Sequence, residues 1–139
     1  MSAANAAKQV LNAAHGVLIL GRRVEVLARA LAEAIPAGPG RVLDLGCGDG
    51  QVAAALMRRR PDLTVIGVDV LVRPVTHIPV TQYDGHTLPF ADQSFDHVTI
   101  VDVLHHTDDP GAVLVEAARV AKTSVVVKDH LREGWLAGP

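Results

Sequence analysis

The sequence predicts an open, doubly wound α/β sheet with mostly parallel strands in the order 3-2-1-4-5. Three observations carry this. Short, continuously apolar runs alternate with segments of helical periodicity, the pattern of strands buried on both faces. One such run, Arg41 to Leu45, passes directly into a glycine-rich turn with a helix behind it. The next run ends in an acidic residue, Asp69, about twenty residues past those glycines. The chain of 139 residues suits one domain with one core, read as N-terminal helices over 1–38 and a sheet-bearing core over 41–129.

The elements follow in order. Ala3 to Ala14 is alanine-rich and helical by intrinsic propensity. Gly16 and Gly21 bracket Val-Leu-Ile-Leu and bend or end that helix. A second helix carries Val24, Leu27, Ala28, Leu31 and Ile35 on one face and stops at Pro36-Ala37-Gly38-Pro39-Gly40. After the first strand, Gln51 to Arg59 is helical with Val52, Ala55 and Leu56 inward. Leu63 to Asp69, Ile78 to Tyr83 and Phe95 to Val101 read as the next three strands. Asp109 and Pro110 are an N-cap and a first helical residue, and Val113, Leu114, Ala117 and Ala121 mark the helix face behind them. Lys122 to Asp129 supplies the fifth strand.

Composition narrows the partners. A net charge of -2 leaves no surplus of cations to neutralise phosphates, and only 3% aromatic residues leave little to stack nucleobases, so nucleic acid is not expected. The basic run Arg58-Arg59-Arg60 reads as a solvated helix end rather than a binding patch. A single cysteine, Cys47, excludes an intramolecular disulfide and suits a reducing compartment. The N-terminus lacks the order of a signal peptide, and the aliphatic run Val17 to Leu20 is far short of the ~20 residues that span a bilayer. The expectation is a soluble cytoplasmic protein with no membrane partner.

The chemistry concentrates in Val42-Leu43-Asp44-Leu45-Gly46-Cys47-Gly48-Asp49-Gly50. Glycines let the backbone turn sharply and approach a ligand, and a helix N-terminus behind the turn presents N–H groups to it. Asp69, at the end of the second strand, is placed to accept from both hydroxyls of a ribose. Asp44 ends the first strand just before the glycines, where a carboxylate would repel a dinucleotide pyrophosphate. A ligand bearing an ammonium and a sulfonium would be attracted instead, which favours S-adenosylmethionine over NAD. The bland alternative for Asp44 is a structural cap on the glycine loop.

Val42 to Gly50 resembles the first motif of class I S-adenosylmethionine-dependent methyltransferases. Tyr83-Asp84-Gly85, the run from Leu88 through Asp96, Asp102-Val103-Leu104-His105-His106, and Glu116 with Arg119-Val120 are similar to later signatures of the small-molecule members. The likeness spans Arg41 to Asp129 in the right order. It implies a Rossmann-like fold in which Gly46, Gly48 and Gly50, with the small residue Cys47 among them, shape the turn around the methionine moiety. It also implies that Asp44 holds the amino group, Asp69 the ribose, Val70 the adenine face, and Asp84 and Gly85 the adenine edge. Val101 and Asp102 would border the sulfonium and the substrate.

Two departures stand out. Where the family has a helix between the second and third strands, this chain has Leu71-Val72-Arg73-Pro74-Val75-Thr76-His77-Ile78-Pro79, whose prolines resist helix formation. The third strand is therefore expected to be short, with the contacts of Asp84 and Gly85 less secure. The family's last two strands are also missing, which leaves Val125-Val126-Val127 as an uncovered edge. The expectation is a piece of a longer protein, or a homodimer paired through that edge.

Methyl transfer needs donor and acceptor held in line, and a base only where the acceptor must lose a proton. His105 and His106 follow the fourth strand at the mouth of the crevice, and one of them is a candidate base. Packing against the cofactor, or capping the next helix, is the competing reading, and Asp102 shares the ambiguity. Lys128-Asp129-His130 ends the fifth strand on the substrate side, while His15, Arg22 and Arg23 belong either to a lid or to an exposed helical face. Histidines and carboxylates are too scattered along the chain to suggest a metal site. The expected function is methyl transfer from S-adenosylmethionine to a small-molecule O, N or C acceptor, the alternative being a cofactor-binding module without activity of its own.

Overall fold

A computed structural model of the chain describes residues 21–129. The helix expected over Ala3 to Ala14, its break at Gly16, and His15, His130 and Leu131 to Pro139 lie outside them. Helix α1 covers residues 21–34 and is followed by β1 (Gly40–Leu45), α2 (Gln51–Arg59), β2 (Leu63–Asp69) and β3 (Val80–Gln82). Then come β4 (Phe95–Val101), a single 3-10 turn (Leu104–His106), α3 (Pro110–Val120) and β5 (Ala121–Lys128). The five strands form one sheet in the order β3-β2-β1-β4-β5, with every neighbouring pair parallel.

Burial on both faces explains the unbroken apolar runs. In β1 the side chains of Leu43 and Leu45 join Val68, Val98 and Ile100 and pack beneath Val113, Ala117 and Val120 of α3. The alternating Val42, with Val65 of β2, faces Leu31 and Ile35 beside α1 and Ala53 and Leu56 of α2. Two helices therefore cover one side and one the other, and the carboxyl ends of β1, β2 and β4 converge on a common edge.

The C-terminal end of α1 would strand its last carbonyls without added donors. Arg60 supplies them, donating to the carbonyls of Ala32, Ile35, Pro36 and Gly38 at 3.0–3.2 Å while pairing with Asp62. Arg58 and Arg59 pair with Glu25. All three members of the basic run thus make contacts within the chain itself.

Four local expectations are corrected. On α3, Leu114 is 38% exposed and Ala121 already belongs to β5; the buried face is Val113, Ala117 and Val120. The helix runs into the strand with no loop between, so its inward stripe closes at Val120. On α2 it is Ala53 that is buried with Ala55 and Leu56, while Val52 turns toward the cleft described below. The third strand is three residues long rather than Ile78 to Tyr83. Gly67 N–H donates to the carbonyl of Pro79 at 2.9 Å just before it, and Ile78 drops out of the strand into the core. The segment 70–79 contains no helix. Among the described residues β3 and β5 are the sheet edges, with Val127 of β5 43% exposed, and no helix is long and apolar enough to cross a membrane.

Candidate active site

The turn after β1 is held by its neighbours. Gly46 N–H donates to the carbonyl of Val68 at 2.7 Å, and its φ of +75° places the missing Cβ against Val103, so only glycine fits. Gly48, at φ +59°, is different: a Cβ there would meet nothing within 4 Å. Its open side is the cleft.

Asp44 sits at the floor of that cleft, 5% exposed, and accepts from Thr99 Oγ1 at 3.0 Å. Burial pushes its carboxyl up to about 7, against the Thr99 hydrogen bond and with help from the neighbouring charge of Asp69. Asp69 reaches over from β2 and accepts from Gly48 N–H at 2.8 Å. One N–H of the expected α2 N-terminus already has a partner. Asp49 accepts from the backbone N–H of Gln51 at 3.1 Å and from its side-chain amide at 2.8 Å. Asp49 thus sets a carboxylate at the start of α2, and Asp44 and Asp69 add two more nearby.

Two adjoining cavities, of about 270 and 450 Å³, share Gly46, Gly48, Arg73 and Asp102 and form the halves of one cleft. Asp44, Cys47 and Val101 line the smaller half with Arg23. Asp69, Val70, Gly85, Tyr83 and His106 line the larger. Ten of the residues singled out from the sequence therefore come together: Asp44, Gly46, Cys47, Gly48, Asp69, Val70, Gly85, Val101, Asp102 and His106.

Three do not line it. Gly50 packs against Ile78. Asp84 is exposed, and its Oδ1 accepts from the N–H groups of Thr87 and His86, which hold its carboxyl below the usual range. His105 lies beside the cleft, its ring 3.8 Å from that of His106, with Nδ1 2.6 Å from Asp129 Oδ1. Cys47 is half-buried with its thiol pushed up to about 12 by burial, then by Asp44 and Asp69. Such a thiol is not a nucleophile.

The structure adds a residue that the sequence reading did not place, Arg73, and brings in another, Arg23, that it left between a lid and an exposed helical face. Arg73, from the proline-rich segment, lines both halves; nothing in its local pattern marks it, and only its position just past Asp69 was a signal. Arg23 reaches the cleft from α1 and forms an ion pair with Asp102, which itself adopts φ +54°. The histidines and carboxylates that are scattered along the chain also converge at one point. One ligating atom each of Asp102, His105 and Asp129 lies within 4.8 Å of the others.

Fold and cleft together define an α/β domain with a cleft beyond the carboxyl ends of its strands that is lined by carboxylates, where a phosphate-binding site would have none. The model of a methyltransferase domain matches residues 43–127, and the chain belongs to that family. A demethylmenaquinone methyltransferase of Roseiflexus sp. (strain RS-1) is 33% identical over 123 residues, covering 81% of this chain and 51% of that protein. The 27-O-demethylrifamycin SV methyltransferase of Amycolatopsis mediterranei is 33% identical over 110 residues, covering 69% of this chain and 40% of that one. Among solved structures, the YcgJ protein of Bacillus subtilis superposes with a TM-score of 0.66 at 28% identity, over 79% of this chain and 53% of its own. The chain spans about half the length of the curated relatives it matches.

Proposed function

We propose that this chain binds S-adenosylmethionine in the cleft over β1, β2 and β4 and directs its methyl group to a small-molecule acceptor. The observation that carries the reading is Asp44: a buried carboxylate with its Oδ1 on Thr99, opening onto the side of Gly48 where no protein atom stands. An ammonium group would complete its hydrogen bonding and restore its charge, whereas a phosphate would be repelled. When bound, the cofactor supplies a methyl carbon activated by a positive sulfur.

The residues divide the remaining work. Asp44 is placed for the amino group, and Asp69 for the ribose hydroxyls, with Val70 and Gly85 beside it for the base. Arg23 and Arg73 are the cations of the cleft, suited to a carboxylate. Asp102 and His106 stand where an acceptor would enter, so catalysis rests chiefly on holding the reactants in line. The relatives are named for small-molecule acceptors, which supports the same class here, and the composition supports a cytoplasmic setting.

A second reading is a cofactor-binding module without turnover of its own. Calorimetric titration with S-adenosylhomocysteine, beside an Asp69→Ala variant and an NADH control, tests the site. Micromolar binding lost in the variant supports it, and tight NADH binding would overturn it. Methylation of added acceptors then separates enzyme from module.

A further inference from the structure

The proline-rich segment 70–79 is pinned at both ends and presents an unusual surface between them. Leu71 N–H donates to Asp69 Oδ1 at 3.4 Å, and the Gln82 side-chain amide donates to the carbonyl of Val70 at 3.0 Å. At the other end His77 N–H donates to the carbonyl of Asp49 at 2.8 Å, and Ile78 is buried in the core. Of the eight large apolar side chains that stand exposed among the described residues, four lie on this segment: Val70, Leu71, Val72 and Val75. Leu71 and Val75 are 61% and 70% exposed, and such concentration on one short segment marks a contact surface rather than scatter. The surface is continuous with the cleft, because Val70 lines its larger half and Arg73 lines both halves.

Arg73 gives that surface a charge. Arg23 is paired with Asp102, whereas Arg73 has no hydrogen bond or ion pair among the described residues. S-adenosylmethionine brings one carboxylate, and the cleft offers two guanidinium groups. The smaller half holds Asp44, placed for the amino group, and Arg23, which suits the carboxylate next to it. Arg73 then remains for the larger half, whose carboxylates, Asp69, Asp102 and Asp108, would repel an anion. A second anion entering that half has one permanent cation to meet it, and the side chains flanking that cation in sequence are apolar.

We infer that the acceptor is an amphipathic acid, an apolar molecule that carries a carboxylate near the group to be methylated. This rests on the methyl-transfer reading above and narrows its acceptor class. Arg73 binds the carboxylate with its planar fork, and Leu71, Val72 and Val75 receive the apolar body outside the cleft. Arg73 and Asp102 line the same two halves, which sets the carboxylate near the reacting group. Pro74 follows Arg73 directly and restricts the backbone of both residues, so less entropy is lost when Arg73 is fixed on a ligand. The segment that stands in place of a helix is thereby a specificity element for the acceptor.

Two measurements on the whole chain test this. Straight-chain acids from hexanoate to decanoate, and the matching alcohols, are titrated by calorimetry into protein saturated with S-adenosylhomocysteine. The acids should bind about threefold more tightly per added methylene, and at least about tenfold more tightly than the alcohols. Arg73→Gln should bring the acids down to the alcohols, and Arg73→Lys should recover part of the preference. Leu71→Gln combined with Val75→Gln, at positions exposed enough to spare the fold, should flatten the chain-length series and keep the preference for acids. Labelled S-adenosylmethionine is then offered with alkyl-substituted hydroxybenzoates and their methyl esters. The acids should be methylated at least about tenfold faster than the esters, and Arg73→Gln should remove the difference. Equal or absent binding of acids and alcohols, displacement of S-adenosylhomocysteine by the acids, or equal or absent methylation of acids and esters overturns the proposal. So does a loss of S-adenosylhomocysteine affinity in Arg73→Gln as large as its loss of acid affinity, which would give Arg73 to the cofactor. A dimer that the paired Leu71 and Val75 substitutions dissociate would give the apolar surface to a second copy and overturn it too. Failure to bind S-adenosylhomocysteine at all would instead remove the reading beneath it.

Discussion

Asp69 Oδ2 accepts the backbone N–H of Gly48 at 2.8 Å, so the carboxylate that ends β2 also fixes the glycine turn that ends β1. One side chain thus shapes the turn and faces the ligand cavity. The two roles separate by substitution. Asp69→Asn keeps an oxygen for Gly48 and loses the charge, while Asp69→Ala loses both. Hydrogen bonds to charged groups contribute about 1.5–3 kcal/mol each, so Asp69→Asn should weaken S-adenosylhomocysteine binding by roughly tenfold to a hundredfold. Its melting temperature should stay close to that of the unmodified protein, and Asp69→Ala should fall on both counts. Unchanged affinity in the Asn variant would mean that Asp69 only braces the turn.

Asp44 ties binding to pH. Its folded-state pKa of about 7 stands above the ordinary 3.8, chiefly through burial. Its contribution to stability is therefore full below about pH 4 and lost as pH rises through about 7. At pH 8 the empty protein carries a penalty on the order of 4 kcal/mol from this one group. Asp62, Asp84 and Glu116 are shifted the other way and lose their contribution only under acid conditions, so they leave the window from pH 5 to about 8 to Asp44. Asp44→Asn, which can still accept from Thr99, should raise the melting temperature of the empty protein at about pH 8 by about 3 °C or more. Between about pH 8 and 6, S-adenosylhomocysteine affinity should drop about tenfold in the unmodified protein, as a proton displaces the charge, and remain flat and weak in the variant. Calorimetry at both pH values checks this, and a pH-independent affinity in the unmodified protein would refute it.

The parts of the molecule legible in the sequence are those set by local pattern. Strands of a sheet covered on both faces are largely apolar, which is why β2 and β4 can be delimited to the residue even though β4 carries Asp96, His97 and Thr99, and the glycine turn declares itself because Gly46 and Gly48 need positive φ. Where two elements abut without a loop, as α3 and β5 do, the period changes with no punctuation, and Ala121 was assigned to the wrong one. Ile78 reads as a strand residue because its apolar character says that it is buried but not against what; it packs under Gly50 instead. Arg73 reaches the cleft from the proline-rich segment, and no spacing rule carries such information; Arg23 and Asp129 are legible only as candidates for a lid and for the substrate side. The pairing of His105 with Asp129, 24 residues on, exists only because β4 and β5 are neighbours.

Cys47 is predicted to be inert. Its thiol, pushed up to about 12, should resist alkylation by iodoacetamide at about pH 8 in the folded protein and react at once in urea. Its role is spatial, because a Cβ on Gly67 would collide with Cys47 Sγ and press on Ile78 Cδ1 at 3.0 Å. Gly67→Ala should therefore destabilise by about 1–3 kcal/mol, and adding Cys47→Ala should recover part of that loss in a double-mutant cycle. Strict additivity would show that the two positions do not touch in the way the structure has them.

The loop from Leu88 to Asp92 hangs from two side chains of α3, Arg119 and Glu116. Arg119 donates to the carbonyls of Leu88 and Phe90 at 3.1 and 2.8 Å and pairs with Asp92 and Glu116, while Glu116 accepts the N–H of Leu88 at 2.8 Å. The planar fork can serve these acceptors at once, and a lysine ammonium cannot. Arg119→Lys should thus behave almost as badly as Arg119→Ala, lowering the melting temperature and speeding amide exchange at Leu88. The Glu116 carboxyl is held below its usual range, first by Arg119 and then by the Leu88 N–H, so its contribution is present above about pH 4.5 and lost as pH falls through the lowered value. Glu116→Gln should remove that acid-side dependence. Because the loop leads on to Phe95, whose ring meets Phe90 edge-on at 5.0 Å, loosening it should disturb the start of β4 before it touches the cleft. Arg119→Lys should therefore lose stability well before it loses affinity for S-adenosylhomocysteine, and equal loss of both would mean that the clamp belongs to the binding site itself.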